Sequence, residues 1–135
     1  MLKLKWVMRG LLLTLLLTAL AGCSASRGNL EGAWELDEPG TLDPKGPAVK
    51  ILVDGHFAFG RQSPDGGVGW AGGGTYTYDG ETYTETITYH YMSTFVGTRI
   101  KFACDLEGDT WHHEAEFELD GRKYHVDEVW RRLEE

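Results

Sequence analysis

The sequence predicts an all-β protein: a single up-and-down antiparallel β-barrel of about eight strands, following an N-terminal signal peptide. Three observations predict it. Beyond Leu30, apolar and polar residues alternate with the period of two that a half-buried strand requires. Turn signals recur between those runs, at Asp54-Gly55, Pro64-Asp65-Gly66-Gly67, Asp79-Gly80, Glu107-Gly108-Asp109 and Asp120-Gly121. Asp-Gly marks hairpins because the turn needs positive φ, which glycine supplies freely. No stretch after the leader carries a 3.6-residue period. With 135 residues, 41% of them hydrophobic, the chain has room for one compact domain.

The first element is the leader, residues 1–22. Lys3, Lys5 and Arg9 precede an apolar run over Leu11–Leu20, and Leu20-Ala21-Gly22-Cys23 follows it. A basic start, a short apolar core and small residues before a cleavage point describe a secretory signal. The run is too short for a permanent membrane helix, which needs about 20 residues. The Leu-Ala-Gly-Cys ending resembles the lipobox of bacterial lipoproteins. That resemblance implies cleavage before Cys23, lipid on its sulfur and, since Ser24 rather than Asp follows, the outer membrane facing the periplasm in a Gram-negative cell. Acyl chains on Cys23 would anchor the protein stably, where one chain alone would be marginal.

Loss of the leader removes three basic residues, so the remainder is more acidic than the formal −8 of the whole chain. Such a surface repels polyanions and excludes nucleic acid as a partner. With Cys23 acylated, Cys104 has no partner for a disulfide and is expected to be a buried, inert thiol. Residues 23–29 then form the lipidated cysteine and a short polar tether, and 30–135 the barrel domain.

Strands are expected near 30–37, 47–54, 56–63, 68–78, 81–91, 98–106, 110–119 and 122–133, joined mostly by hairpins. Residues 39–47, with Pro39, Pro44 and Pro47, read as a loop or flap over one barrel end. Parity assigns inward faces: Tyr83, Glu85, Ile87, Tyr89 and Tyr91; Ile100, Phe102, Cys104 and Leu106; Trp111, His113, Ala115, Phe117 and Leu119; Tyr124, Val126, Glu128, Trp130 and Arg132. Three of these faces enclose ionisable groups: Glu85, His113 and Glu128. A buried carboxylate without a partner costs several kcal/mol. Such groups belong either to a structural ion-pair network or to the polar spot of a ligand cavity.

Gly32-Ala33-Trp34 in the first strand, with Trp130-Arg131-Arg132 closing the last, resembles the lipocalins and the wider calycin group. The resemblance implies that the Trp34 indole plugs one barrel end beside Gly32, under an arginine that is Arg131 or Arg132. A guanidinium stacks favourably on an aromatic face. Gly55-His56-Phe57-Ala58-Phe59-Gly60-Arg61, Ala71-Gly72-Gly73-Gly74-Thr75-Tyr76 and Glu128-Val129-Trp130 are similar to small bacterial lipocalin-like domains of unknown function. That likeness implies a fold and an apolar ligand, but no reaction.

Two tempting motifs fail on mechanism. Gly67-Val68-Gly69-Trp70-Ala71-Gly72 satisfies the dinucleotide pattern, which works only where a helix N-terminus follows to hold the pyrophosphate. Strand-forming Thr75-Tyr76-Thr77-Tyr78 follows here, so the glycines read as a bend or bulge. His112-His113 cannot clamp one metal ion from a strand, because adjacent side chains face opposite ways. A metal assembled across strands from His56, His90, His113 and Glu85 has no support in their spacing. No metal or other cofactor is expected.

The function expected from sequence is a membrane-anchored lipocalin-like protein that binds a small apolar or amphiphilic ligand. The candidate cavity residues are Phe57, Phe59, Trp70, Tyr83, Glu85, Tyr89, Phe102, Trp111, His113, Tyr124, Glu128 and Arg132, with Gly32, Trp34 and Arg131 at the plug. One alternative is a structural or interaction lipoprotein with a filled core, lacking a cavity of the ~300 Å³ at which ligand sites begin. Another is a calycin-type enzyme using buried Glu85, Glu128 and His113, whose carboxylate pKa values burial would raise. No Gly-x-Ser-x-Gly, Walker loop or His-Glu-x-x-His motif is present, so no catalytic residue is assigned.

Overall fold

The computed structural model describes residues 29–38 and 47–134. The leader, Cys23, most of the tether, the loop 39–46 and Glu135 lie outside the described residues. Eight strands follow in order: β1 (Gly32–Glu38), β2 (Ala48–Val53), β3 (His56–Gln62), β4 (Val68–Tyr78), β5 (Thr82–His90), β6 (Arg99–Glu107), β7 (Thr110–Leu119) and β8 (Arg122–Arg132). Each pairs antiparallel with the next, and β8 returns to β1, so the sheet closes into one barrel without a free edge. A single 3₁₀ turn, Ser93–Phe95, interrupts the β5–β6 connection.

Two of the two-residue hairpins form where Asp-Gly predicts them. Asp54 and Gly55 have φ of 47° and 74°, Asp120 and Gly121 of 51° and 71°. Both central residues are left-handed, as a type I′ turn demands. These turns fix register, pairing Val53 with His56 and Leu119 with Arg122. The Asp79 carboxylate accepts from the N–H groups of Glu81 and Thr82 and so fixes the β4–β5 turn.

The Gly72-Gly73-Gly74 run is the bend that the sequence suggests. A Cβ at Gly74 would collide with the Thr86 carbonyl, and one at Gly73 with the Phe57 carbonyl. Here the β4–β5 register shifts: Gly74 faces Ile87 but Gly73 faces Tyr89. Thr88 is the extra residue, and it inverts the parity of β5 beyond that point. Tyr89 therefore turns to solvent, 55% exposed, instead of entering the interior as strict alternation had it. Tyr91 is likewise exposed, and His90 takes the inward position.

The core is graded along the barrel axis. At the end where β1 begins, Trp34, Leu30, Leu52, Tyr83 and Trp111 are almost wholly buried. Trp34 meets Trp111 edge-on at 5.4 Å, and its indole N–H donates to the Leu30 carbonyl at 2.9 Å. The Arg132 guanidinium lies 4.1 Å from the Trp34 ring and donates to the Asn29 and Glu31 carbonyls. Arg132 thus caps the plug at the sealed end and is not in the cavity. Arg131 projects outward and pairs with Glu35. Gly32 supplies the close approach, since a Cβ there would press on the Arg132 side chain and its φ is +127°.

Candidate functional site

Above the sealed end, two buried polar pairs stand between aromatic layers. The first begins on β2. Ala48, Lys50 and Leu52 face inward, while Val49, Ile51 and Val53 face solvent at 41–54% exposure. The Asp54-Gly55 turn dictates this apparent inversion. Opposed residues share a face, and the register sets Leu52 against Phe57, Lys50 against Phe59 and Ala48 against Arg61. With Phe57 and Phe59 inside, Lys50 and Arg61 are inside too.

Lys50 is 4% exposed, and its ammonium lies 2.9 Å from Oε1 of Glu85, itself 5% exposed. The Tyr83 hydroxyl donates to the same oxygen at 2.9 Å. Four rings surround Lys50 Nζ: Trp130, Trp111, Tyr83 and Phe57, at 5.0–6.0 Å from their centroids. That cage compensates a desolvated cation. Burial, reinforced by Glu85, holds the Tyr83 phenol well above its ordinary pKa, so it stays a donor.

The second pair joins β7 to β8. His113 and Glu128 are directly opposed, and His113 Nε2 lies 2.9 Å from Glu128 Oε2. The Trp130 indole N–H donates to that oxygen at 3.1 Å. Burial pushes the Glu128 pKa up, but the hydrogen bond from His113 and the charges of His113, Lys50 and Arg61 outweigh it and hold the carboxyl at about 2. Burial, helped by Lys50, holds His113 below its usual pKa against the pull of Glu128. His113 is fully buried, stacked on Phe102 at 4.5 Å, and its Nδ1 has no hydrogen-bond partner.

These groups border an interior cavity of about 90 Å³. Ala48, Phe59, Ile87, Ile100, Phe102, Phe117, Val126 and Trp130 supply its apolar wall; Lys50, Arg61, Glu85, His113 and Glu128 supply its polar one. Trp70, His90 and Phe95 border it toward the far end of the barrel, where the β3–β4, β5–β6 and β7–β8 connections lie. There His90 stacks on Phe95 at 4.5 Å and accepts the Met92 N–H at Nδ1, and burial lowers its pKa. A larger depression of about 430 Å³ lies outside the sealed end, between Asn29, Leu30, Gly55 and the Tyr76–Gly80 stretch. No buried ionisable side chain reaches it, so the interior cavity is the better candidate.

Of the expected cavity residues, Phe59, Trp70, Glu85, Phe102, His113 and Glu128 border the cavity. Phe57, Tyr83 and Trp111 pack beneath it around Lys50. Tyr124 packs against Phe117 and Phe95 at the mouth. Tyr89 and Arg132 lie elsewhere, for the reasons given above. Lys50, Arg61 and His90 are additions to the expected cavity residues. Cys104 is half-buried, accepts the Trp111 indole N–H at 2.8 Å, and burial pushes its thiol up to about 11. Among the described residues no three His, Cys, Asp or Glu groups converge to hold a metal ion, and His56 is exposed near the sealed end.

A closed eight-stranded up-and-down barrel with an aromatic plug, an arginine cap and a partly polar interior defines a lipocalin-like protein. The chain belongs to a family described as a domain of unknown function, DUF4488, whose pattern matches residues 29–135. Among solved structures it is similar to a lipocalin-like protein from Bacteroides uniformis ATCC 8492, at 18% identity and a TM-score of 0.53, over 78% of this chain and 100% of that one. That likeness concerns the fold. No protein of curated function matches the sequence.

Proposed function

We propose that this protein is a lipid-anchored lipocalin-like binder of the cell envelope, holding a small apolar or amphiphilic molecule in its barrel. The observation that carries the reading is the interior cavity. It is apolar over most of its wall, yet several buried ionisable groups converge on it. Binding sites combine apolar area for affinity with a few placed polar groups for orientation. The volume of about 90 Å³, well below the ~300 Å³ at which ligand sites begin, restricts the occupant to a small molecule. A longer tail would have to leave between Phe59, Phe117 and Trp70.

The same volume favours one second reading, a structural lipoprotein whose interior is filled. A displacement series separates the two. Purified protein is loaded with a fluorescent lipid probe and challenged with amphiphiles of increasing size, with native mass spectrometry in parallel. Binding that peaks for small amphiphiles supports the first reading, and an empty protein that displaces nothing supports the second. The anchor is tested separately. Metabolic palmitate labelling is expected to modify the wild-type chain and to be lost in Cys23→Ala.

A further inference from the structure

Strand β2 is turned inside out relative to its composition. Its one cation, Lys50, is enclosed, while the β-branched Val49, Ile51 and Val53 point to solvent. Opposed residues share a face, so the register carries this outward surface around the barrel. Ile51 stands between Ala33 and Ala58, Ala58 faces Gly73, and Gly73 faces the exposed Tyr89. Val49 continues through Gly60 to Ala71. No Asp, Glu, Lys or Arg projects outward from β2, β3 or β4, because Lys50 and Arg61 are buried. A contiguous apolar surface of this kind marks a place of contact.

Charge and chain length choose the occupant. The chain is acidic overall, −8 in formal charge. Exposed Asp54, Asp79, Glu81, Glu107 and Asp109 ring the end where β1 begins, and Glu114, Glu116 and Asp127 project from β7 and β8. Anionic headgroups repel both of those surfaces but not the β2–β4 face. Asn29 borders a depression shared with Gly55 and residues 76–80, so the described chain begins beside the ends of β2, β3 and β4. Cys23 stands six residues earlier, a reach of about 20 Å at most. Lipid on Cys23 would hold this side of the barrel within reach of the bilayer, and a tethered contact needs little area of its own. A second copy needs more. The patch runs about 13 Å from Val49 to Val53 and about 10 Å from β2 to β4. That falls well short of the ~800 Å² per partner of a stable dimer.

Resting on the reading of Cys23 as the lipidated residue, we propose that the barrel lies side-on against the membrane, with Val49, Ile51 and Val53 seated among the lipid headgroups and Tyr89 at the rim of the contact. Tyrosine suits that depth, with an apolar ring and a polar tip. The test uses the acylated protein as purified from cells, reconstituted in phosphatidylethanolamine–phosphatidylglycerol vesicles that carry a diazirine phospholipid. After irradiation, mass spectrometry maps the lipid adducts and reads the acyl group on Cys23 in the same sample. Adducts should concentrate on the peptides that hold residues 49–53, Ala58 and Tyr89. Ile51→Asp should cut them about tenfold. It should leave acylation and, since the side chain points outward, the melting temperature unchanged. Adducts on the turns at 79–81 and 107–109, or spread evenly round the barrel, overturn the side-on contact and leave the anchor standing. So does a face free of adducts in a protein that sediments as a dimer and that Ile51→Asp returns to a monomer, which assigns the surface to a second copy. A chain without lipid on Cys23 takes down the anchor and this proposal together. The adduct map is made on wild-type protein, so it does not depend on a variant folding.

Discussion

Replacing Lys50 by Met tests whether the buried ion pair organises the interior. At 2.9 Å, with an effective dielectric constant of ~20, the gross attraction is about 6 kcal/mol. Desolvation of two nearly inaccessible ions costs several kcal/mol each, so pair and cage together sit close to balance. Removing one partner destroys that balance. Lys50→Met leaves the Glu85 carboxylate with only the Tyr83 hydroxyl, and should cost ~3–5 kcal/mol. Glu85→Gln should cost less, about 2 kcal/mol, because the neutral amide still accepts from Tyr83 and the ammonium keeps its four rings. The double variant removes both charges and should lose only about 2 kcal/mol, well short of the sum of the single losses. Urea denaturation followed by tryptophan fluorescence gives all three values, and Lys50→Met should lower the melting temperature by roughly 12 °C or more. A Lys50→Met loss of about 1 kcal/mol or less, or additive single losses, would show the pair to be electrostatically idle.

Two further predictions come from the pKa directions and the barrel plug. The pKa values of His113 and Glu128 are both depressed by folding, so stability should be flat between about pH 6.5 and 8. It should fall first below that value, as the unfolded chain binds a proton that buried His113 refuses. It should fall again between about 4.5 and 2 as Glu128 is titrated. Denaturant midpoints across pH 3–8 check this, and the first decline should shrink in His113→Phe, with buried His90 supplying what remains; rising stability on acidification would reverse the sign. At the plug, Arg132→Ala removes a guanidinium stacked on Trp34 and two bonds to backbone carbonyls. It should cost ~1.5–3 kcal/mol. Arg131→Ala breaks only exposed pairs, with Glu35 and Asp37, and should cost about 0.5 kcal/mol or less by thermal melting.

The division between what the sequence reveals and what it conceals follows the range of the interaction. Strand number, order and turn positions are local, written in two-residue alternation and in Asp-Gly pairs whose glycines the backbone requires. The inward placement of Glu85, His113 and Glu128 is also local, because each lies between large apolar neighbours of the same parity. Lys50 is the instructive miss. Taken alone, Val49, Ile51 and Val53 are the face of β2 that β propensity assigns to a core. The hairpin register overrides it, and that register was itself readable: Asp54-Gly55 fixes the pairing, and Phe57 and Phe59 fix the face. Arg61 follows from the same step. Tyr89 could not be placed so. The three glycines announce a bulge, but which strand carries the extra residue depends on how β4 and β5 close against each other. Choosing between Arg131 and Arg132 needed the pairing of β1 with β8, which sets Trp34 opposite Arg132.

Outside and inside follow opposite electrostatic rules. The exterior is strongly acidic, with Glu114, Glu116 and Glu118 along one outward face of β7, whereas the cavity wall matches two cations with two carboxylates. A long-range field from such a surface would repel an anionic ligand and attract a cationic one. The balanced interior rewards neither, because each enclosed charge already has its counter-charge within the wall. On the proposed reading of the barrel as a binder, selection therefore rests on size, which the cavity volume sets. Raising salt should weaken any surface encounter with charged partners while leaving the affinity of the interior site unchanged.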